Sequence, residues 1–536
     1  MSGRRHFIGV DVGTGSARAG VFNEAGECLG TGKRDIDIYR DGAHRVEQSS
    51  ANIWQAVCTA VRTAVSAAGI TPESVTGLGF DATCSLVVLG EGGQSLPVGP
   101  AGIAERDIIV WMDHRAVEQA ERINAQGHEV LRYVGGRISP EMQTPKLLWL
   151  KENLPEIFAK AWQFFDLADF LTWRSTGSLA RSTCTVACKW TYLAHEQRWD
   201  PGYFHEIGLG ALADEEFRRI GQQIVEPGTA LGAGLTDAAA RDLGLVAGTP
   251  VSAGMIDAHA GGIGTVGIGG TPERNMGYVF GTSSCTLTST ESPKFVPGVW
   301  GPYFSAMVPG LWLNEGGQSA AGAAIDQLIS LHPAFAIASE RARADGISLP
   351  VLLANLAVAT QPNASAVVSL ARGLHVVPEF LGNRAPFADP AARAAIAGLG
   401  MERDLDNLVA LYVAGLCGIG YGLRQIIAVQ EEEGAGVDQI IISGGAGQHD
   451  LTRQILADAS GKTVIAPETP EPVLLGAALL GATAARAFPD LKEAMQALSR
   501  AGRVYEPAGG EIASIHARRY EAFRTLQADL RTMRDF

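Results

Sequence analysis

The sequence has no Cys-x-x-Cys pair, and none of its seven cysteines (28, 58, 84, 184, 188, 285 and 417) has a histidine at zinc-ligand spacing. That weighs against a structural zinc site or a disulfide framework; scattered thiols in odd number suit a reducing, cytoplasmic setting. No uncharged apolar run reaches the ~18 residues of a membrane span. The longest, Leu408 to Leu423, is rich in glycine and reads as a buried helix. The first strand starts almost at once, so no signal peptide is expected. Positive charge is also short: 43 Lys and Arg face 57 Asp and Glu, a net charge of −14 that argues against nonspecific nucleic-acid or membrane binding. Low-complexity tails are missing, and 46% hydrophobic with 19% charged residues marks a globular chain. At 536 residues it is too long for one core, so two domains with insertions are expected.

What is present begins with Val10-Asp11-Val12-Gly13-Thr14-Gly15-Ser16-Ala17-Arg18. Phe7 to Val12 and Ala17 to Phe22 read as strands around a glycine turn, the glycines being able to take positive φ. Uncovered N–H groups in such a turn can converge on an anion, and Asp11 beside it can hold a hydrated metal ion. An ordinary hairpin is the competing reading. Tyr278-Val279-Phe280-Gly281-Thr282-Ser283-Ser284-Cys285 repeats the pattern, and Gly281 minus Gly13 is 268, half the chain length of 536, as in an internal duplication.

The first stretch resembles the phosphate motif of the FGGY carbohydrate kinases, members of the actin-like ATPase superfamily. The resemblance implies an α/β fold of two actin-like (ribonuclease H-like) domains flanking a deep cleft: residues 1–270, sugar-binding with a helical insertion over about Tyr133 to Leu245, and residues 271–536, nucleotide-binding. The Gly-rich stretch Gly261 to Gly270 marks the expected boundary. Between them the pattern predicts a third strand from Cys28 to Tyr39 and a helix capped by Ser50 with Ile53, Trp54, Val57, Val61 and Val65 as its apolar stripe. Strands are expected over Val75 to Phe80, Leu86 to Leu89, Ile108 to Trp111 and Pro250 to Met255, and a helical segment over Phe164 to Trp173. The second half should hold a hairpin at Gly277 to Thr288, a helix from Leu405 to Glu432, a strand Gln439 to Ile442, and helices over Leu474 to Ala485 and Glu511 to Arg534.

A kinase acting on a hydroxyl needs a phosphate cradle, a metal and a base. Asp257 is the candidate base, at a strand end before small residues; capping the following helix is the alternative. Gly254-Met255-Ile256-Asp257-Ala258-His259-Ala260-Gly261 resembles the family motif that holds the catalytic aspartate. His259 reads as a packed residue. Polar loops Asp81-Ala82-Thr83-Cys84-Ser85, Asp113-His114-Arg115 and Asn314-Glu315-Gly316-Gly317-Gln318-Ser319 could each be a plain loop or cap. Together they are similar to the pentulose branch, especially its D-ribulokinase group. That implies sugar contacts from Asp81, Ala82, Thr83, Asp113, Arg115, Lys189, Asp257, Glu315 and Gln318. Lys189 would otherwise be a surface lysine beside aromatics.

For ATP the resemblance implies Gly13, Thr14, Ser16, Arg18, Gly281, Thr282, Ser283, Gly444, Gly445, Ala446 and Gln448, with Mg²⁺ at Asp11 and Asp257. Gly447-Gln448-His449 stands where many relatives carry Ser-Lys-Asn. Glu471-Pro472-Val473-Leu474 fits as packing beneath the nucleotide, and Phe380-Leu381-Gly382-Asn383-Arg384-Ala385-Pro386-Phe387 resembles an interior signature, read as a structural turn. Gly262-x-Gly264-x-x-Gly267 lacks a dinucleotide context, and Gly461-Lys462-Thr463 lacks the earlier P-loop glycine, Leu456 standing there. The expected activity is ATP-dependent phosphorylation of a ketopentose, D-ribulose to D-ribulose 5-phosphate. L-ribulose or a pentitol such as ribitol are alternative acceptors, and an actin-like nucleotide switch without an acceptor is the reading from another class. A small-molecule sugar is the expected partner, with no nucleic acid or membrane and a homodimer left open.

Overall fold

Every residue of the strand His6–Val12 is buried in the computed structural model, which describes residues 5–42 and 44–534. A continuous apolar run of this kind suits the middle of a sheet covered on both faces. The strand pairs antiparallel with Ser16–Asn23 and parallel with Val75–Ala82. Cys28–Asp35 extends the sheet on one side and Met255–Ile256 on the other, making five strands. The helix Ser50–Ala68 lies over it, burying the expected Ile53, Trp54, Val57, Val61 and Val65. Its cap is Ser49, not Ser50: the Ser49 side chain accepts from the Asn52 N–H. The predicted strand Cys28 to Tyr39 is two strands, Cys28–Asp35 and Tyr39–Asp41, in different sheets.

A seven-stranded sheet repeats the design. Asn275–Phe280 pairs antiparallel with Ser284–Thr290 and parallel with Gln439–Ser443, as His6–Val12 does with its two neighbours. Thr463–Pro467, Ala501–Tyr505, Trp312–Gly316 and Trp300–Phe304 complete it. The helices Leu405–Glu432 and Gly510–Met533 lie near their predicted limits. Leu405–Glu432 is the one helix among the described residues long and apolar enough to cross a membrane, and 78% of its apolar window is buried inside the protein.

All strands of the first sheet precede residue 270 and all strands of the seven-stranded sheet follow it, yet two helices cross between them. Pro472–Ala484, from the second half, packs on the strands of the first sheet and on the helix Asp257–Val266. The approach is close enough to require glycine: a Cβ on Gly9 would lie 1.9 Å from the Leu474 carbonyl oxygen, and one on Gly476 would lie 1.9 Å from that of Ala260. Residues 261–266, within the stretch expected as the boundary between halves, are helical. Their glycines serve the helix crossing, with a Cβ on Gly264 falling 2.0 Å from the Pro472 oxygen.

A third sheet, Tyr39–Asp41, Arg45–Gln48, Ile108–Ile109, Leu86–Leu89 and Gln163–Asp166, joins the helical insertion to the first domain. The segment Phe164 to Trp173, expected as helix, enters as the buried strand Gln163–Asp166 before the helix Leu167–Thr176. Its first apolar pair, Phe164 and Phe165, satisfies either period, and pairing with Leu86–Leu89 decides for strand.

Candidate functional site

Three parallel strands end at one edge of the first sheet. Asp11 stands opposite Asp81, Asp81 stands opposite Met255, and Asp257 follows that last strand as the first residue of its helix. Three carboxylates are thereby gathered from positions 11, 81 and 257. Their surroundings differ. Asp11 accepts from Arg18 Nε at 2.9 Å, and Arg18 Nη1 donates to Glu471 at 2.8 Å. Both Asp81 oxygens are buried without a hydrogen-bond partner. Burial, then the charges of Asp11 and Asp257, push the Asp81 carboxyl well above the usual carboxylate range.

Asp257 is not the helix cap. Ile256 holds the cap position and makes no side-chain cap bond, while Asp257 accepts only from the Ala258 N–H, at 2.8 Å. Burial, reinforced by Asp11, raises its carboxyl to about 6. Such a group is mostly ionised at neutral pH and still able to take a proton, which suits a general base.

The two glycine turns close on themselves, Gly13 N–H donating to the Ser16 carbonyl at 3.1 Å and Gly281 N–H to that of Ser283 at 2.9 Å, and leave the rest of their backbone uncovered by a different route from the one expected. Neither Gly13, Gly15 nor Gly281 is at positive φ. A Cβ on Gly15 would meet nothing within 4 Å, and one on Gly13 or Gly281 only a carbonyl at 3.8 or 3.7 Å. What glycine supplies here is open backbone. The first turn is anchored by Trp111 Nε1, which donates to Thr14 Oγ1 at 2.9 Å, and by Gln48, which donates to the Thr14 carbonyl at 2.8 Å. Ser16 then opens the second strand and Arg18 faces Asp11 across the hairpin.

The second turn is tied to the start of the helix Gly322–Ser330: Gly322 N–H donates to the Gly281 carbonyl, and Ala321 and Ala323 N–H to that of Thr282. Thr282 is exposed, and Gly281 and Ser283 are partly so. Gly444, at φ +95°, starts the next loop, where a Cβ would strike the Phe280 carbonyl at 2.4 Å. Gly445, Ala446 and Gln448 line a cavity of about 440 Å³ with Phe280, Gly322, Asp326, Tyr412 and His449. An adenosine-sized ligand fits a site of this volume and mixed lining. Asp326 is an addition from the structure, since nothing in local sequence pattern ties position 326 to the 444–449 loop.

Lys189 is not a surface lysine. It ends the helix Thr183–Lys189, is buried, and sits with Nζ 5.3 Å from the Trp300 ring centre. Burial opposes its charge, yet Cys84 and Glu315 hold its pKa well above the usual lysine range. Glu315 is opposed by burial in the same way and held down at about 2 by Lys189 and His259. His259 Nε2 lies 3.4 Å from Glu315, and His259 Nδ1 3.2 Å from Cys184 Sγ. The histidine is packed, as expected, but as a buried bridge between two polar partners.

Other expected sugar contacts are spent elsewhere. Arg115 Nε and Nη2 clasp Asp113 at 2.8 and 2.7 Å, Nη2 also reaches Glu47 at 3.0 Å, and Nη1 donates to the Val98 carbonyl. Asp113 further accepts from the Val46 N–H at 2.6 Å. With side-chain exposures of 2% and 0%, this pair braces the third sheet. Gln318 accepts from Tyr278 and Ser284 and donates to the Ile419 carbonyl, bracing the second hairpin. Ala82 is buried beside Ile256, and the Thr83 N–H donates to the Val12 carbonyl, so both position the strand ends. Among the described residues no cluster of three or more His, Cys, Asp or Glu side chains is arranged to hold a metal ion.

Duplicated sheets with paired turns define the class: a two-domain actin-like α/β protein. The chain belongs to the FGGY family of carbohydrate kinases, its N-terminal domain model matching residues 6–264 and its C-terminal domain model residues 276–485. It is 44% identical over 535 residues to an FGGY carbohydrate kinase domain-containing protein of Danio rerio, covering 98% of this chain and 97% of that protein. It is 38% identical over 522 residues to a D-ribulokinase of Saccharomyces cerevisiae, covering 91% of this chain and 73% of the yeast protein. In fold it superimposes on a xylulose kinase from Rhodospirillum rubrum with a TM-score of 0.80, at 21% identity, over 99% of each chain.

Proposed function

We propose that the protein transfers the terminal phosphoryl group of ATP to a ketopentose, D-ribulose, at its 5-hydroxyl, giving D-ribulose 5-phosphate and ADP. One observation carries the reading: the Asp257 carboxyl ends the strand edge that also holds Asp11 and Asp81, within reach of the charges of His259 and Lys189, and His259 Nε2 lies 3.4 Å from the buried Glu315. A base for a hydroxyl proton thereby adjoins charged groups suited to several oxygens of a polyol. The 38% identity to a D-ribulokinase points to the acceptor.

Asp257 takes the hydroxyl proton as its oxygen attacks the γ-phosphorus. The N–H groups of Thr14 and Gly15 in the first turn and of Thr282 and Ser283 in the second stabilise charge on the transferred group, and the adenosine lies in the cavity of Gly445, Ala446 and Gln448. The carboxylate excess at Asp81, Asp11 and Asp257 fits a divalent cation carried in with the nucleotide. Asp11 and Asp257 would hold Mg²⁺ through water, and the ion would neutralise phosphate charge. Lys189 and Glu315 fix the sugar. A nucleotide switch without an acceptor has no use for such buried charges, which are costly unless they bind something. Seven unpaired cysteines support a cytoplasmic setting.

The test is ADP release measured with ATP and Mg²⁺ against a panel of D-ribulose, L-ribulose, ribitol, D-xylulose and hexuloses. D-Ribulose should give the highest kcat/KM. A higher value for another acceptor reassigns the substrate, and ADP release unchanged by every sugar defeats the kinase reading.

A further inference from the structure

The segment 380–387, read from sequence as a structural turn, is held rigidly. Asn383 and Asp389 exchange backbone hydrogen bonds of 2.9 and 2.8 Å. The Asn383 side chain donates to Glu379 at 2.6 Å and accepts from the Phe387 N–H at 3.0 Å. From the C-terminal helix, Gln527 donates to Glu379 at 2.6 Å and the Arg531 guanidinium lies 3.2 Å from the Phe387 ring centre; Arg534 pairs with Asp389 at 2.7 Å. On the opposite side the Pro386 carbonyl oxygen sits 1.9 Å from where a Gly298 Cβ would fall, pressing the loop onto the chain that leads into Trp300. A side chain presented from such a support is preorganised for binding.

Arg384 is that side chain. Its guanidinium lies 5.8 Å from the Trp300 ring centre, the ring that also receives Lys189 at 5.3 Å. Trp300 is directly opposite Glu315 in an antiparallel pair, so the two side chains share a face of the sheet. Arg384 is half-buried, and among the described residues its guanidinium donates no hydrogen bond, although the Arg384 charge reaches Glu315 and Cys285. The charges acting on Asp257 are those of Asp11, His259 and Lys189 instead. Lys189 thus acts on both Asp257 and Glu315, whereas Arg384 acts on Glu315 and shares the Trp300 ring with Lys189.

We propose that Arg384 is a specificity-determining residue of the acceptor pocket, binding the end of the sugar farthest from the transferred phosphoryl group. The guanidinium only donates, in a planar fork. A ketose carbonyl is acceptor-only and matches that fork completely, whereas the hydroxyl replacing it in a pentitol, although it also offers two lone pairs, carries a proton that a donor-only guanidinium cannot accept. Arg384 thus favours a ketopentose over the matching polyol. The inference rests on the pentulose kinase reading above.

The experiment compares wild type, Arg384→Met and Arg384→Lys, measuring kcat and KM for D-ribulose and ribitol, with ADP affinity by calorimetry and Tm as controls. If ribitol is not turned over, its inhibition constant against D-ribulose takes the place of its KM. Arg384→Met should raise KM for D-ribulose about tenfold or more, change ribitol by less than about threefold, and leave ADP affinity unaltered; the lysine variant should recover part of the loss. Equal effects on both acceptors, or none on D-ribulose, overturn the assignment while leaving an active wild type as a sugar kinase. A wild type inactive on every acceptor instead overturns the kinase reading, and the role of Arg384 falls with it.

Discussion

Asp11 and Asp81 stand opposite each other on adjacent parallel strands, and only Asp11 has a cation: Arg18 bonds it, while both Asp81 oxygens lie buried without a hydrogen-bond partner. The neighbour's charge and burial make ionised Asp81 a liability in the absence of ligand. Its carboxyl is pushed well above 3.8, so the folded protein holds its proton more tightly than the unfolded chain does. Stability from this group is full at acid pH and is lost as pH rises through the folded-state value. Asp81→Asn should therefore raise the Tm of the ligand-free protein at pH 8, by about 2–4 °C if the gain is ~1 kcal/mol. At pH 4 the gain should vanish. A melting series from pH 4 to 8 checks this, and equal Tm differences across the range would refute the cause given.

Asp257 has a raised carboxyl of the same kind with a different use. A base must be unprotonated to act, so kcat/KM should fall as pH drops below about 6, the value set by burial and Asp11. Asp257→Asn should cost at least ~100-fold in kcat and leave ATP affinity in place, since general base catalysis is worth ~10² to 10⁴-fold. Initial rates from pH 5 to 8, with nucleotide titrations of both proteins, provide the check. Near-normal turnover by the variant would remove Asp257 from the base role.

Much of this was legible in sequence because local pattern and tertiary context agree there. The two hairpins, the buried strand at residue 7 and the helix 405–432 follow from apolar period and glycine turns, and Asp257 from its place at a strand end. Asp113 and Arg115 illustrate what pattern cannot give. A polar triplet after a strand looks the same whether it binds a ligand or closes on itself, and here it closes, through Glu47 and Val46 that lie far away in sequence. The glycines of 261–264 show a similar limit: a boundary loop and a close helix crossing use the same residue, and the approach of Pro472 to Gly264 is visible only in the fold. Asp326 carried no local signal, whereas Arg384 lay inside a legible signature whose pattern suggested only a structural turn.

The helix crossing yields its own expectation. Gly476→Ala would place a methyl group 1.9 Å from the Ala260 carbonyl oxygen, backbone against backbone, where no rotamer change relieves the clash. Overpacking ordinarily costs about 1–3 kcal/mol, and this site should reach or exceed the upper figure because both helices must part. Gly445→Ala is the control, since a Cβ there meets nothing within 4 Å. Thermal melts should show a large loss for Gly476→Ala and little for Gly445→Ala. Comparable Tm values would mean the two helices are not locked at this crossing.

Lys189 and Glu315 are opposite charges in one buried region, each shifting the other, and among the described ion pairs none joins them directly. Glu315 is held at about 2 against an ordinary 4.5, so its contribution to stability is present above about pH 4.5 and is lost as pH falls toward 2. Removing one charge strands the other: Glu315→Gln should destabilise by on the order of 3 kcal/mol, as should Lys189→Met. The double variant should recover much of that loss, because the two charges go together and His259, the other cation facing Glu315, keeps Cys184 as its partner. Activity should not follow stability. If the two groups hold sugar oxygens, the double variant melts near wild type yet keeps a KM for the acceptor raised at least tenfold, the scale expected when charged hydrogen bonds to a substrate are lost, roughly 1.5–3 kcal/mol each. Measuring Tm and acceptor KM for the two single variants and the double variant separates structural support from binding. Recovery of both quantities together would reduce the pair to a structural role, whereas recovery of Tm alone places the sugar between them.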